Sequence, residues 1–280
     1  MATTDKRPRS PLRYLASRKW TWLLAGGLLL VAAAVVSAYL WERPPVLSQR
    51  SITSLRPVSL PSSGQKVLFF SPHADDETIA AAGFMTLAAR NGAEVRIVLV
   101  TDCNKHHNED MRYTEFKNVA TALAIDPSNL VFLGLPDGKL RELDPDTLAQ
   151  MLKQQIDSYD PQIVLYPHPK DMHPDHATTG KLLAEIVKSD QKTREAYQYL
   201  VHFKLLYPQP RKFDQNLFLL PPKSLVTSGV QWQRVDLPQD VEDVKTLAAF
   251  TYRSQLGNVE LRDLILSSIR KNELLAVPTQ

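Results

Sequence analysis

The sequence predicts an α/β fold: a Rossmann-like, mostly parallel sheet with helices on both faces, preceded by one N-terminal transmembrane helix. Three observations carry this prediction. Between Lys66 and Lys188, short apolar runs alternate with segments of helical period, the pattern of successive βαβ units. The short runs are apolar at nearly every position, as strands covered on both faces must be. Ahead of them, Thr21 to Trp41 contains no charged residue.

The N-terminus comes first. Residues 1–20 carry Lys6, Arg7, Arg9, Arg13, Arg18 and Lys19 against Asp5, a balance of +5. Of 33 basic and 30 acidic residues in the chain, 27 and 29 therefore remain for 42–280, a balance of −2. The basic excess belongs to the tail, so a nucleic-acid partner for the folded part is not expected. The stretch 21–41 that follows matches the roughly 20 apolar residues needed to span a bilayer. Trp20 and Trp22 at one end, Tyr39 and Trp41 at the other, stand where interfacial anchors belong. Basic residues ahead of the span predict a cytoplasmic N-terminus and a domain outside the cytoplasm. A cleavable signal peptide ending near Val36-Ser37-Ala38 is the alternative, although the apolar run is long for one. The Pro- and Ser-rich stretch 42–64 reads as a linker, and 65–280 as the folded domain. One cysteine, Cys103, excludes an intrachain disulfide.

Within the domain, strands are expected at 66–70, 94–101, 129–135 and 162–167. Between them, "ETIAAAGFMTLAARNG" is a helix stopped by Asn91-Gly92. Phe116, Val119, Ala120 and Leu123 mark a second helix by their spacing. A third opens with Asp144 as cap and Pro145 at its first position, with Leu148, Met151, Leu152, Ile156 and Tyr159 as its stripe. Residues 178–188 form a fourth. Beyond Tyr199, "YLVHFKLLY" and "NLFLL" look strand-like, and two helices are expected near 239–255 and 258–270.

Ligands of such sheets sit beyond the carboxyl ends of the strands. Two clusters fall there: His73, Asp75, Asp76 and Glu77 after the first strand, and "HPKDMHPDH", His168 to His176, after the fourth. Taken singly, each has an ordinary reading: a solvated helix start for the acids, a Pro-containing turn with Asp175 as helix cap for "HPDH". Together they suggest a metal. Catalytic Zn²⁺ takes three protein ligands and keeps a position open; His73 and Asp76 could supply two, and a histidine of the second cluster the third.

At these residues the chain resembles the LmbE/PIG-L family of de-N-acetylases. "SPHADDETIAAAG" and "HPDHATTG" look like its two signatures, with "MRYTEFKNVATAL", "LGLPDGKL", "PQIVLYPHPKDMHPDH" and, weakly, "YRSQLG" in the family's order. Members hydrolyse the acetamido group of N-acetylglucosamine-type sugars, or related amides, with a divalent metal, usually zinc. The resemblance implies His73, Asp76 and His176 as metal ligands, Asp75 as general base, and His173 as the group that stabilises or protonates the tetrahedral intermediate. It implies Asp175 as the carboxylate orienting a histidine, and Arg112 and Asp137 as substrate-binding residues; a surface pair of Arg112 with Glu115 and a plain turn at Asp137 are the alternatives. Cys103, His106 and His107 border the same edge, with a small buried thiol and solvated histidines as their ordinary reading. Ala74, the "TDCNKHH" loop, and Asp171-Met172 before His173 depart from the family's pattern, all in loops that face substrate.

The expectation is thus a zinc-dependent hydrolase, anchored through 21–41, acting on an acetylated amino-sugar glycan or glycolipid. An amidase for non-sugar N-acyl substrates and a membrane-tethered, non-catalytic metal- or glycan-binding protein are the rivals. An intact Asp75 and His173 argue against the last, because a binding module needs no base beside its ligand.

Overall fold

The computed structural model describes residues 11–105, 107–192 and 194–278, with side chains from Trp20 onward. The chain divides between Arg43 and Pro44 into two units. In the first, α1 (Pro11–Glu42) is a single helix. Its Trp20–Glu42 portion is long and apolar enough to cross a membrane, with a mean hydropathy of 2.3. Lys6, Arg7 and Arg9 of the expected basic tail lie outside the described residues.

The second unit contains, in chain order, β1 (Arg56–Pro57), β2 (Lys66–Ser71), α2 (Asp76–Arg90), β3 (Glu94–Thr101), α3 (Glu109–Ala122) and β4 (Leu130–Leu135). Then come α4 (Pro145–Tyr159), β5 (Ile163–Pro167), α5 (Pro174–Ser189), β6 (Glu195–Tyr199), α6 (Lys223–Thr227) and β7 (Gln231–Asp236). The last elements are α7 (Gln239–Thr251), α8 (Arg253–Leu256), α9 (Val259–Ser267) and β8 (Asn272–Val277). The strands form one sheet in the order β1-β7-β8-β6-β5-β2-β3-β4. β8 runs antiparallel to both its neighbours, and the other pairs are parallel.

Alternation along the strands builds a core on each face, because successive side chains point to opposite sides. Val67, Phe69, Ile97, Leu99 and Leu165 pack with residues of α2, α3, α7 and α9. Leu68, Phe70, Val98, Val100, Val164 and Tyr166 pack on the other side with α4 and α5. The chain steps β2, β3, β4 in one direction and then returns to place β5 on the far side of β2. Right-handed crossovers require that reversal to move the helices to the other face. The gap between the carboxyl ends of β2 and β5 is therefore the topological switch point of the sheet, where open α/β sheets bind their ligands.

Local signals act as expected in α4, where the Asp144 side chain accepts from Thr147 N at 2.8 Å and Pro145 opens the helix. α5 begins earlier than expected: His173 is its cap and Pro174 its first residue, so Asp175 lies inside the first turn and is not the cap. Residues 199–207 and 216–220, expected to be strand-like, form no strand after Tyr199. Pro208 and Pro210 lack donors for a ladder, and the apolar side chains Leu200, Tyr207 and Leu219 are buried in a third cluster with Trp232 and Leu274. The sheet is completed instead by β6, β8, β7 and the short β1, which the sequence pattern does not announce.

The stretch 42–64 is not a free linker from Pro44 onward. Arg56 and Pro57 pair with β7, Ile52 and Val58 are buried, and the Gln49 side chain exchanges hydrogen bonds with the Phe218 backbone at 2.8 and 3.0 Å.

α2 is broken at Ala81 (φ −151°, ψ 20°). The freed N–H groups of Gly83 and Phe84 each donate to the Glu273 carboxylate at 2.8 Å. Lys245 Nζ neutralises that carboxylate at 2.7 Å and donates to the freed Ile79 carbonyl at 3.1 Å. A fully buried ion pair thus replaces the missing turn of helix hydrogen bonds, as buried backbone polar groups require.

Candidate active site

Every strand from β6 to β4 contributes a loop to one edge of the sheet, and four of these loops meet at the switch point. The turn after β2 is strapped in place: Thr101 Oγ1 donates to the Pro72 carbonyl at 2.7 Å, and Cys103 Sγ accepts from Ala74 N at 3.2 Å. It delivers His73 and Asp76. The β5 loop and the start of α5 deliver Asp171, His173, Asp175 and His176.

His73 Nδ1, His176 Nε2 and Asp76 Oδ2 form a triangle with edges of 3.2, 3.4 and 3.0 Å. A tetrahedral ion bound at roughly 2.0–2.1 Å needs donor atoms roughly 3.3–3.4 Å apart, so the triangle matches one face of such a shell. Each imidazole also has a carboxylate behind it. His73 Nε2 lies 3.3 Å from both Asp137 Oδ1 and Asp175 Oδ2, and His176 Nδ1 lies 3.4 Å from Asp171 Oδ2. Protons held on those outer nitrogens leave both inner lone pairs facing the centre, the usual arrangement for metal-bound histidines. Electrostatics agree. Burial alone would lower both histidines, but Asp137, Asp175 and Asp76 hold His73 well above its usual value, and Asp76 and Asp171 raise His176 to about 9. Asp76, despite burial, is held well below the carboxylate range by His176. The surroundings favour positive charge at the centre, and the cluster can hold a divalent cation. His173 is close enough to join it: one nitrogen each from His73, His173 and His176 fall within 4.8 Å of one another.

Asp75 caps α2 with φ 140°, a conformation that costs a non-glycine residue and persists only when its surroundings enforce it. Two groups do so. Glu77 Oε2 accepts from Asp75 N at 3.0 Å, and Glu77 Oε1 accepts from Tyr252 Oη at 2.5 Å. Arg112, reaching in from α3, donates to the Ala74 carbonyl and lies 3.3 Å from Asp75 Oδ2. Burial raises the Asp75 carboxyl to about 7 against the pull of Arg112. The carboxylate takes no edge of the triangle.

The remaining expected residues fall as follows. Arg112 is buried against Asp75 and makes no pair with Glu115, which accepts instead from Ser254 N and Oγ at 2.9 and 2.6 Å. Asp137 is engaged with His73, and its Oδ2 accepts from Lys105 N at 3.4 Å. Asp175 accepts from Gly138 N and Leu140 N at 2.7 and 3.1 Å, which ties the β4 loop to His73. Cys103 is a buried thiol serving the turn and His107 is exposed; His106 lies outside the described residues. His173 Nδ1 accepts from Asp175 N at 3.3 Å, so its proton sits on Nε2. Burial and the neighbouring His73 push His173 down to about 3, which keeps it neutral.

Sequence reasoning missed Asp171 and His202 as parts of this site. Asp171 was seen only as a departure before His173. His202 was hidden inside an expected strand; read as a loop residue three positions past β6, it would have fallen at the same sheet edge.

The fold and site define a class: a mostly parallel α/β domain with a buried His–Asp cluster, able to hold a divalent cation, at its switch point. Residues 68–187 match the family model PIG-L: GlcNAc-PI de-N-acetylase. The chain is similar to the N-acetylglucosaminyl-phosphatidylinositol de-N-acetylase of Bos taurus, 27% identical over 134 residues that cover 47% of this chain and 52% of that protein. The alignment thus spans about half the length of that relative. In fold it resembles the N,N'-diacetylchitobiose deacetylase from Pyrococcus horikoshii, with a TM-score of 0.57, 20% identity, and coverage of 83% and 88% of the two chains. The zinc-inhibited form of the teicoplanin deacetylase Orf2 is similar at a TM-score of 0.55, 16% identity and coverage of 76% and 97%.

Proposed function

We propose that this protein is a zinc-dependent N-deacetylase that removes the acetyl group from an amino-sugar conjugate at a membrane surface. The observation that carries the reading is the His73–Asp76–His176 triangle with an unbound carboxylate, Asp75, next to it in the same turn. His73, Asp76 and His176 would hold the ion; His173 is close enough to approach it. The ion, when bound, supplies a polarised amide carbonyl and a water acidified toward neutral pH.

The protein's own groups do the rest. Asp75, raised to about 7 by burial, is suited to take the water's proton near neutral pH and pass it to the departing amine. His173, neutral and carrying its proton on Nε2, donates a hydrogen bond to the oxyanion as it forms. It is therefore assigned stabilisation and not proton delivery. Arg112 and Glu77 keep Asp75 in its strained position. Asp171, Asp137 and Asp175 orient the two ligand histidines, so Arg112 and Asp137 are given supporting roles in place of direct sugar contacts.

The anchor reading rests on the Trp20–Glu42 helix, with the domain outside the cytoplasm and a substrate carried on the membrane, a glycan or glycolipid. A reporter fused to the C-terminus tests the orientation. For the activity, chelation should abolish acetate release from N-acetylated amino sugars, and Zn²⁺ should restore it. Indifference to chelator would overturn the reading. Turnover of simple N-acyl amides, with no sugar hydrolysed, would move it to a non-sugar amidase.

A further inference from the structure

His202 stands at the mouth of the cluster and has no role in the reaction as described. It follows β6 by three residues, and its loop is sewn to the β5 loop by one carboxylate. Asp171 Oδ2 accepts from Val201 N and His202 N at 2.9 and 3.0 Å, and Oδ1 accepts from His173 N at 2.9 Å. Met172 N donates back to the His202 carbonyl at 2.8 Å. The His202 ring packs 4.8 Å from that of His176 and 5.2 Å from that of His173.

The two ends of this imidazole differ. Nδ1 is buried, lies 3.5 Å from Asp171 Oδ1, and has no aligned hydrogen bond. The side chain as a whole is 29% exposed, and none of that exposure is at Nδ1. A carboxylate behind Nδ1 favours the proton there, and such contacts shorten when a site is occupied. Nε2 is then left with a bare lone pair at the cleft. His173 is the reverse case, since the Asp175 N–H fills its Nδ1 lone pair and leaves Nε2–H outward. Two neighbouring imidazoles thus present opposite polarity, one donor and one acceptor, because their Nδ1 atoms meet opposite partners.

We propose that His202 is a substrate-recognition residue of this site, accepting through Nε2 a hydrogen bond from an N–H or O–H group beside the scissile carbonyl. The inference rests on the deacetylase reading. The donor is either the amide N–H or a hydroxyl of the adjoining sugar. An acetyl group held between His173 and His202 is oriented by a donor and an acceptor at once, and a substrate lacking the donor leaves a buried lone pair unmet, which is the costly side of hydrogen-bond recognition.

Two measurements test this on the metal-loaded protein. Nitrogen-15 NMR of labelled histidines should give a protonated Nδ1 and bare Nε2 for His202, and the opposite for His173; a protonated Nε2 on His202 overturns the proposal. In kinetics, His202→Ala should lower kcat/KM for an N-acetylated amino sugar about tenfold, mainly through KM, with zinc content unchanged. His202→Gln, which keeps an acceptor, should recover part of the loss. Substrates lacking the amide N–H (O-acetyl) or the neighbouring hydroxyl (deoxy) identify the donor, since the one that lacks it will be indifferent to His202→Ala. Unchanged kcat/KM for every substrate, or loss of zinc together with activity, overturns the assignment. An active wild type with an indifferent variant defeats His202 alone, whereas a zinc-loaded wild type that releases acetate from none of them defeats the deacetylase reading and this role with it.

Discussion

Gly180 offers a direct probe of how the fold sets the cluster, because it is where α5 touches the end of β5. A methyl group added there would stand 2.3 Å from the Pro167 carbonyl oxygen and 3.1 Å from its carbon, where ordinary contact begins at 3.4 Å. These are backbone atoms of a central strand and cannot swing aside, so Gly180→Ala must push α5 back by about 1 Å. His176 is one turn earlier on the same helix and moves with it. Metal–ligand distances tolerate about 0.2 Å, far less than this shift. The expected cost is about 1–3 kcal/mol of stability from overpacking, and a loss of zinc affinity of about 10–100-fold, as for other changes that misplace a ligand. Urea unfolding in excess chelator reads the first, and competition with a colorimetric chelator reads the second. Gly257→Ala is the control, since an added methyl there meets nothing within 4 Å. Wild-type stability and affinity in Gly180→Ala would refute the claim that this contact positions α5. Lowered stability with undiminished affinity would refute His176 as a ligand.

Asp75→Asn should retain zinc and lose about 10²–10⁴ in kcat, whereas Asp76→Ala and His176→Ala should lose the ion; elemental analysis beside the acetate assay separates the two. Glu273→Ala strands the Gly83 and Phe84 N–H groups and leaves Lys245 buried without its counter-charge, so it should cost about 3–5 kcal/mol in urea unfolding, more than Glu273→Gln, which keeps an acceptor. Burial lowers His168 to about 4 from 6.5, so its neutral form is favoured in the fold; stability is intact above about pH 6.5 and is lost as pH falls toward 4. His168→Asn keeps an acceptor for Lys170 N, now met by His168 Nδ1 at 3.0 Å, and removes the titration. Its stability should fall less between pH 7 and pH 4.5 than that of the wild type.

Much of the fold and the centre of the site can be read along the chain. A strand buried on both faces is apolar at nearly every position, which made 66–71, 94–101, 130–135 and 163–167 visible within a residue or so. Asp144-Pro145 announces α4 because capping is local. His73 and Asp76 are three residues apart after one strand and the 168–176 cluster follows another, so the rule that ligands gather at carboxyl edges was enough to join the two clusters. The family resemblance singled out His176. Other features depend on partners far along the chain and leave no local mark. The break in α2 is stabilised by Glu273 and Lys245 from the other end of the domain. The inward turn of Arg112 depends on Asp75, and the return strands β7 and β8 carry no periodic signal that sets them apart. The orientation of His202 depends on Asp171. Sequence determined which residue types stand at which strand ends, because burial and capping act between near neighbours. Tertiary structure alone decided which nitrogen of each histidine faces the centre, because a proton's position is set by whatever partner the fold brings to the ring's other side.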